Sequence, residues 1–213
     1  MQEQHCHLTA DSTDSGCLIC SLHGHNSALG EDRPGEQDGM DNWIARLNDT
    51  VLSDYNTRLA GGFDEPFYRA FRGSAPAEIR FTYDYERSAL HELAHWCVAG
   101  SARRQQDDYG YWYAPDGRTN AQQQLFFQVE VVPQAIEKHF CAALDLPFAV
   151  SVDNLDNRAL EGIQEFSAAV DVRFTRYQRE GLPERAARIY RCLQTSRLRS
   201  QQPHNIQYAV ETY

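Results

Sequence analysis

Residues 91–95 read His-Glu-Leu-Ala-His, and this pentapeptide constrains the chain more than any other stretch. Two histidines four apart emerge from one helix face, because an α-helix repeats every 3.6 residues. Both imidazoles can then reach one divalent ion, with Glu92 close enough to serve the same site. The surroundings agree with a helix. Asp84 stands where an N-cap is expected, Glu86 falls in the first turn, and Gly100 supplies a stop. Leu90, Leu93, Ala94, Cys97 and Val98 make the neighbouring faces apolar, so the helix is expected in the core. Buried imidazoles need partners. A metal ion is one solution, and hydrogen bonds between two core histidines are the other.

Two histidines do not complete a reactive metal site, which takes about three protein ligands and keeps positions open. His139 is isolated in a helical stretch and His204 lies near the C-terminus, so a carboxylate is the better third ligand. Glu130 sits among apolar neighbours in Gln128-Val129-Glu130-Val131-Val132-Pro133. A buried carboxylate requires a compensating charge, and an ion would provide it; an arginine partner is the competing explanation. Glu137, one helix turn past Pro133, is the second choice. Two histidines and a carboxylate suit either of two chemistries. With zinc, a bound water and Glu92 as general base would make a peptidase or amidase. With iron(II), the same triad is the facial arrangement of non-haem oxygenases. A binding protein with a structural metal is a third reading.

The chain of 213 residues is long enough for one domain with a sizeable core. The pattern of periods predicts an α+β fold: a mostly helical single domain with a small amount of strand, and the HExxH helix inside it. Helices are expected over 43–54, 119–131, 133–144, 157–179 and 183–194, and a short strand over 79–83. Gly61 to Pro66 reads as a loop. Asp107 to Tyr113 reads as an extended aromatic segment closed by a Pro115-Asp116-Gly117 turn. No apolar run approaches a membrane span. The net charge of -10 argues against a general nucleic-acid footprint. Lys138 is the only lysine. Cys97, Cys141 and Cys192 fall in apolar helical patterns and are expected as buried thiols. The N-terminus has no secretory pattern, so a cytoplasmic location is expected.

Residues 1–39 differ from the rest. They carry seven acidic residues against one basic, Arg33, with no helix or strand period. This segment is expected to be a disordered acidic extension, and Met40 is a plausible true start. Its Cys17-x-x-Cys20-x-x-His23-x-His25 run contains metal-capable residues, but in a crowded spacing that fits no zinc module. Residues 40–195 are expected to form the working domain and 196–213 a polar tail.

Several motifs, taken in order, resemble the bacterial elongation factor P hydroxylase family. They are Tyr55-Asn56-Thr57-Arg58-Leu59, Asp64-Glu65-Pro66, and Ser88 to Gly100 with Ala102-Arg103-Arg104. Further on come Asp108 to Tyr113 with Pro115 to Arg118, Val129-Glu130-Val131 with Pro133-Gln134-Ala135, Pro147-Phe148 with Asp153-Asn154-Leu155, and Gly181 to Arg185. The resemblance implies hydroxylation of the β-lysylated lysine of elongation factor P, using molecular oxygen and a divalent metal, with iron(II) ahead of zinc. It places His91, His95 and Glu130 on the family's metal-binding pattern. It retains Glu92, which would orient a water, relay a proton or stand behind the ligands. Asp108, Tyr109, Tyr111, Trp112 and Tyr113 become candidates for the wall of a slot that takes a long cationic side chain. The chain has no His-x-Asp pair of the jelly-roll 2-oxoglutarate oxygenases, so an unusual hydroxylase fold is implied. A docking patch for the protein substrate is guessed around Arg103 and Arg104.

Overall fold

A seven-residue strand passing straight through Gly61 and Gly62 organises the first third of the molecule. The structure, a computed structural model, describes residues 34–110, 119–152 and 162–200. Helix α1 (Pro34–Leu47) widens into a π-type turn (Asn48–Leu52), tightens into a single 3-10 turn (Ser53–Tyr55) and then enters strand β1 (Thr57–Phe63). β2 (Phe67–Arg69) and β3 (Ala77–Thr82) follow. The sheet order is β1-β3-β2, with β3 parallel to β1 and antiparallel to β2. The expected loop from Gly61 is therefore strand up to Phe63. A register shift between Ala60 and Phe63 marks an irregular pairing there. Gly61 is required by space: a Cβ would lie 2.5 Å from the Phe81 ring and 2.9 Å from the Tyr83 carbonyl oxygen.

Both sheet edges are closed by side chains. Asn48 pairs with the Leu59 backbone, its amide donating to the carbonyl (3.0 Å) and accepting from the N–H (2.7 Å). On the far edge, Asp108 accepts from Tyr68 N–H and Asp107 from Ala70 N–H, each at 2.9 Å. Such caps stop an edge from recruiting another strand. They also explain why Asp107–Gly110 is a tight 3-10 turn rather than the extended segment expected. Asp108 (φ 48°) and Tyr109 (φ 58°) are left-handed there, a conformation that aspartate tolerates.

The helical layer begins with α2 (Glu86–Val98), which carries the His-Glu-Leu-Ala-His run. Its N-cap position is Tyr85, not Asp84. At the other end, Arg185 donates to the carbonyls of Cys97 (2.7 Å) and Ala99 (2.6 Å), and Arg104 also donates to Ala99 (2.6 Å). α3 (Asn120–Leu144) is one helix with Pro133 inside it, where two helices were expected. An internal proline costs about 3 kcal/mol. Burying Ile136 and Phe140 completely returns about 1.5–3 kcal/mol each, and Val129, whose carbonyl loses its partner, is exposed. α4 (Ile163–Glu180) and α5 (Glu184–Ser200) complete the described chain.

Two expected boundaries move. α1 begins at Pro34, ahead of Met40, and α5 continues through 196–200, where a frayed tail was expected. The Cys17–His25 run, the 115–117 turn, the start of the 157–179 helix and the tail beyond 200 lie outside the described residues.

The main core joins Trp43, Leu47 and Leu52 to the inner sheet face (Leu59, Ile79, Phe81), α2 and α5. A second cluster, with Phe127, Phe166 and Val170, fills the space between α3 and α4. The molecule is mostly helical with one small sheet, in keeping with the α+β expectation. Cys97, Cys141 and Cys192 are buried thiols. Among the described residues no helix is long and apolar enough to cross a membrane.

Candidate metal centre

Helices α2 and α3 lie against each other along a seam that is polar although buried. From α2 come His91, Glu92 and His95; from α3 come Glu130, Gln134 and Glu137. All of these except His95 are buried, and His95 is only slightly more accessible. The α3 residues share a face because positions 130, 134 and 137 are spaced by four and three.

His91, His95 and Glu130 offer one ligand atom each within 4.8 Å of one another. The two Nε2 atoms are 3.0 Å apart, and Glu130 Oε1 is 3.4 Å from His95 Nε2. Glu130 Oε2 is 3.9 Å from His91 Nε2. Donors bound about 2.0–2.2 Å from one ion stand about 3.0–3.4 Å apart, so the trio fits a divalent cation with a small movement of the carboxylate. Glu137, the second choice as third ligand, is placed differently: its Oε2 accepts from His91 Nδ1 at 2.8 Å. That bond keeps a proton on Nδ1, so an Nε2 that gives up its own proton would turn its lone pair to the trio.

The electrostatics point the same way. Burial pulls the His91 pKa down, but the hydrogen bond and charge of Glu137, with the charges of Glu130 and Glu92, raise it to about 10. Burial pushes Glu130 up, yet the charge and hydrogen bond of His95, then His91 and Gln134, hold it at about 2. Three buried acids around two imidazoles demand positive charge, which a proton or a metal ion can supply. Among the described residues no arginine pairs with Glu130; its ion-pair partners are the two histidines.

Asp108 and Tyr109, expected in a pocket wall, are built into the fold. Asp108 caps the β2 edge, as described above. The Tyr109 ring is buried and stacks on Tyr68 with centroids 4.2 Å apart. Its hydroxyl is buried without a hydrogen-bond partner, and its pKa is raised by burial first and then by the charge of Glu92. Tyr111, Trp112 and Tyr113 lie outside the described residues. Of the pair guessed as a docking patch, Arg103 is exposed and donates to the Tyr109 carbonyl at 3.2 Å, and Arg104 is half-buried and donates to Ala99. His139 is buried, 3.3 Å from the Phe174 carbonyl and away from the trio.

Two participants escaped the sequence reading. Gln134 is fully buried and donates to Glu130; Arg87 grips Glu137 at 2.7 Å. Spacing held a usable signal for both, since Gln134 follows Glu130 by one turn and Arg87 precedes His91 by one turn.

The sequence profile of the elongation factor P hydroxylase family matches residues 47–207. The chain is also similar to a protein of Haemophilus influenzae named elongation factor P lysine hydroxylase. The two are 41% identical over 155 residues, covering 72% of this chain and 86% of the relative.

Proposed function

The chain belongs to the elongation factor P hydroxylase family, and on that premise we propose that it hydroxylates the β-lysylated lysine of elongation factor P at a metal ion held by His91, His95 and Glu130. Family membership supports the substrate and the reaction. The observation that carries the metal centre is the convergence of two imidazoles and one carboxylate from two helices. An iron(II) ion bound there would supply the redox chemistry that couples molecular oxygen to a C–H bond.

The chain's own residues set the conditions. His91 and His95 give neutral donors, and Glu130 gives one negative charge. These three residues would hold the ion and, being only three, would leave it positions to react at. Glu92 is buried on the helix that carries both histidines, where it serves as the proton-handling group next to the reacting centre. The surrounding core leaves little of the trio open to bulk water. Tyr111, Trp112 and Tyr113, which follow the Asp107–Gly110 turn directly in the chain, remain our candidates for the substrate slot, together with Asp108 and Tyr109 at its base. We place the enzyme in the cytoplasm with its protein substrate.

The test is mass spectrometry of elongation factor P from cells with and without this protein. The modified lysine should gain the mass of one oxygen only when the intact protein is present. An identical mass in both strains defeats the reading and moves a zinc peptidase or amidase ahead.

A further inference from the structure

The two α3 carboxylates are not held by α3 alone. The Gln134 amide makes three hydrogen bonds. Its Nε2 donates to Glu130 Oε2 (3.3 Å) and to the Ser151 carbonyl (2.9 Å), and its Oε1 accepts from Ser151 N–H (3.1 Å). Two acceptors face the nitrogen and one donor faces the oxygen, so the amide has a single workable orientation. Arg87 plays the matching part for Glu137. Its Nη2 and Nε donate to Glu137 Oε1 (2.7 and 3.2 Å), and Nη2 also donates to the Ala149 carbonyl (2.8 Å). The guanidinium lies over the Phe148 ring, 5.3 Å from its centre.

Both holders therefore grip the same stretch, residues 147–152, which runs on from the end of α3. That stretch is itself rooted in the core. Phe148, Val150 and Val152 pack against the cluster between α3 and α4, the alternation of an extended chain. The main chain of Ala149 and Ser151, between those anchors, is what Arg87 and Gln134 hold.

We propose that residues 147–152 are a brace for the metal centre: fastened at Ala149 and Ser151, they orient Glu130 through Gln134 and the His91 ring through Arg87 and Glu137. The proposal rests on the metal reading above. Arg87 and Gln134 are positioning residues, since neither touches the ion. Glu130 pinned at Oε2 keeps Oε1 turned to His95. A ring whose Nδ1–H is given to Glu137 keeps its Nε2 lone pair available. Without the brace these groups would have to be ordered when the ion binds, and affinity would fall.

The experiment titrates the metal-free, full-length protein with Co(II), whose absorption bands report both affinity and coordination geometry. Gln134→Met keeps the length and removes the hydrogen bonds. Arg87→Lys keeps the charge and loses the fork. Each should weaken Co(II) binding by about 10- to 100-fold and alter the bands at saturation. The double variant should lose less than the product of the two, because both act through one brace. A purely structural role would lower the melting temperature while leaving the affinity and bands of the folded protein unchanged, and that result overturns the proposal. His95→Ala separates the two levels. If it loses Co(II) while Gln134→Met and Arg87→Lys bind normally, the brace is wrong and the metal centre stands. If it binds like the parent, the metal reading itself fails. Should Gln134→Met not fold, Arg87→Lys decides on the same readouts.

Discussion

Two buried carboxylate clusters in this molecule solve the same problem in opposite ways. On the outer sheet face, Glu78 is 2% exposed and ringed by Arg58, Arg69 and Arg80. Burial works to raise its pKa, but the hydrogen bonds of Arg80 and Arg58 outweigh this and lower it. In the α2–α3 seam, Glu130 is 3% exposed and faces imidazoles instead. Guanidinium groups cannot give up their charge, so the sheet cluster is complete as it stands. Imidazoles can become neutral and turn a lone pair to an incoming cation. The arginine-ringed acid needs no ligand to be balanced, whereas the acid facing two histidines four apart is where we propose that an ion sits.

The largest expected effect breaks the comparison on its reactive side. His91→Ala, His95→Ala or Glu130→Ala should abolish hydroxylation of elongation factor P, read by the mass of the modified lysine, while circular dichroism still shows a helical protein. Retained activity in any of them would place the ion elsewhere. Next comes Glu92→Gln. A zinc hydrolase would lose its base and with it about 10²- to 10⁴-fold in rate, whereas an oxygenase should keep measurable turnover, checked in the same assay.

The third prediction sharpens the difference between removable and permanent charge. The His91 proton, held to about 10 by Glu137, Glu130 and Glu92 against the effect of burial, must leave when an ion binds. Metal affinity should therefore climb by about tenfold per pH unit between about pH 7 and about pH 9, measured by titration at fixed ionic strength. In the metal-free chain the sign is reversed. A raised folded-state pKa gives stability that is fully present below the unfolded value of about 6.5 and is lost as pH rises through about 10.

The smallest effects belong to the sheet. Glu78→Gln should lower unfolding stability by about 1–2 kcal/mol in urea, because the arginines left behind are partly solvated. Metal affinity should not change. Since the Glu78 pKa is lowered by folding, its contribution is present above the unfolded carboxylate value and disappears as pH falls through the folded one. Arg58→Ala, at the most exposed of the three arginines, should cost less than about 1 kcal/mol.

The sequence made α2 legible because two signals coincided: histidines spaced by four and apolar neighbours on either side of them. β3 was legible for a similar reason, its alternation being visible in Ile79-Arg80-Phe81. β1 was hidden because Gly61 and Gly62 look like a turn, and only the Phe81 ring pressing on Gly61 shows why glycine is needed inside a strand. Pro133 suggested a break for a local reason that tertiary burial of Ile136 and Phe140 overrides. Glu130 could be read from its apolar neighbours. The separate duty of Glu137 could not, because the choice between binding an ion and orienting a histidine depends on which ring nitrogen it meets. Gln134 and Arg87 were legible only as spacings; their second grip, on Ala149 and Ser151, joins residues too distant in the chain for any local pattern to reveal.

Helices open from their ends, and His95 stands only three residues before the end of α2. The carbonyls of Cys97 and Ala99 are held there by guanidinium groups from Arg185 and Arg104, one of them reaching in from α5. Unwinding is thereby kept from the turn that bears the second imidazole. The interval between the two rings then survives the breathing of the surrounding chain, and an ion held there, as we propose, would find the same grip on its return.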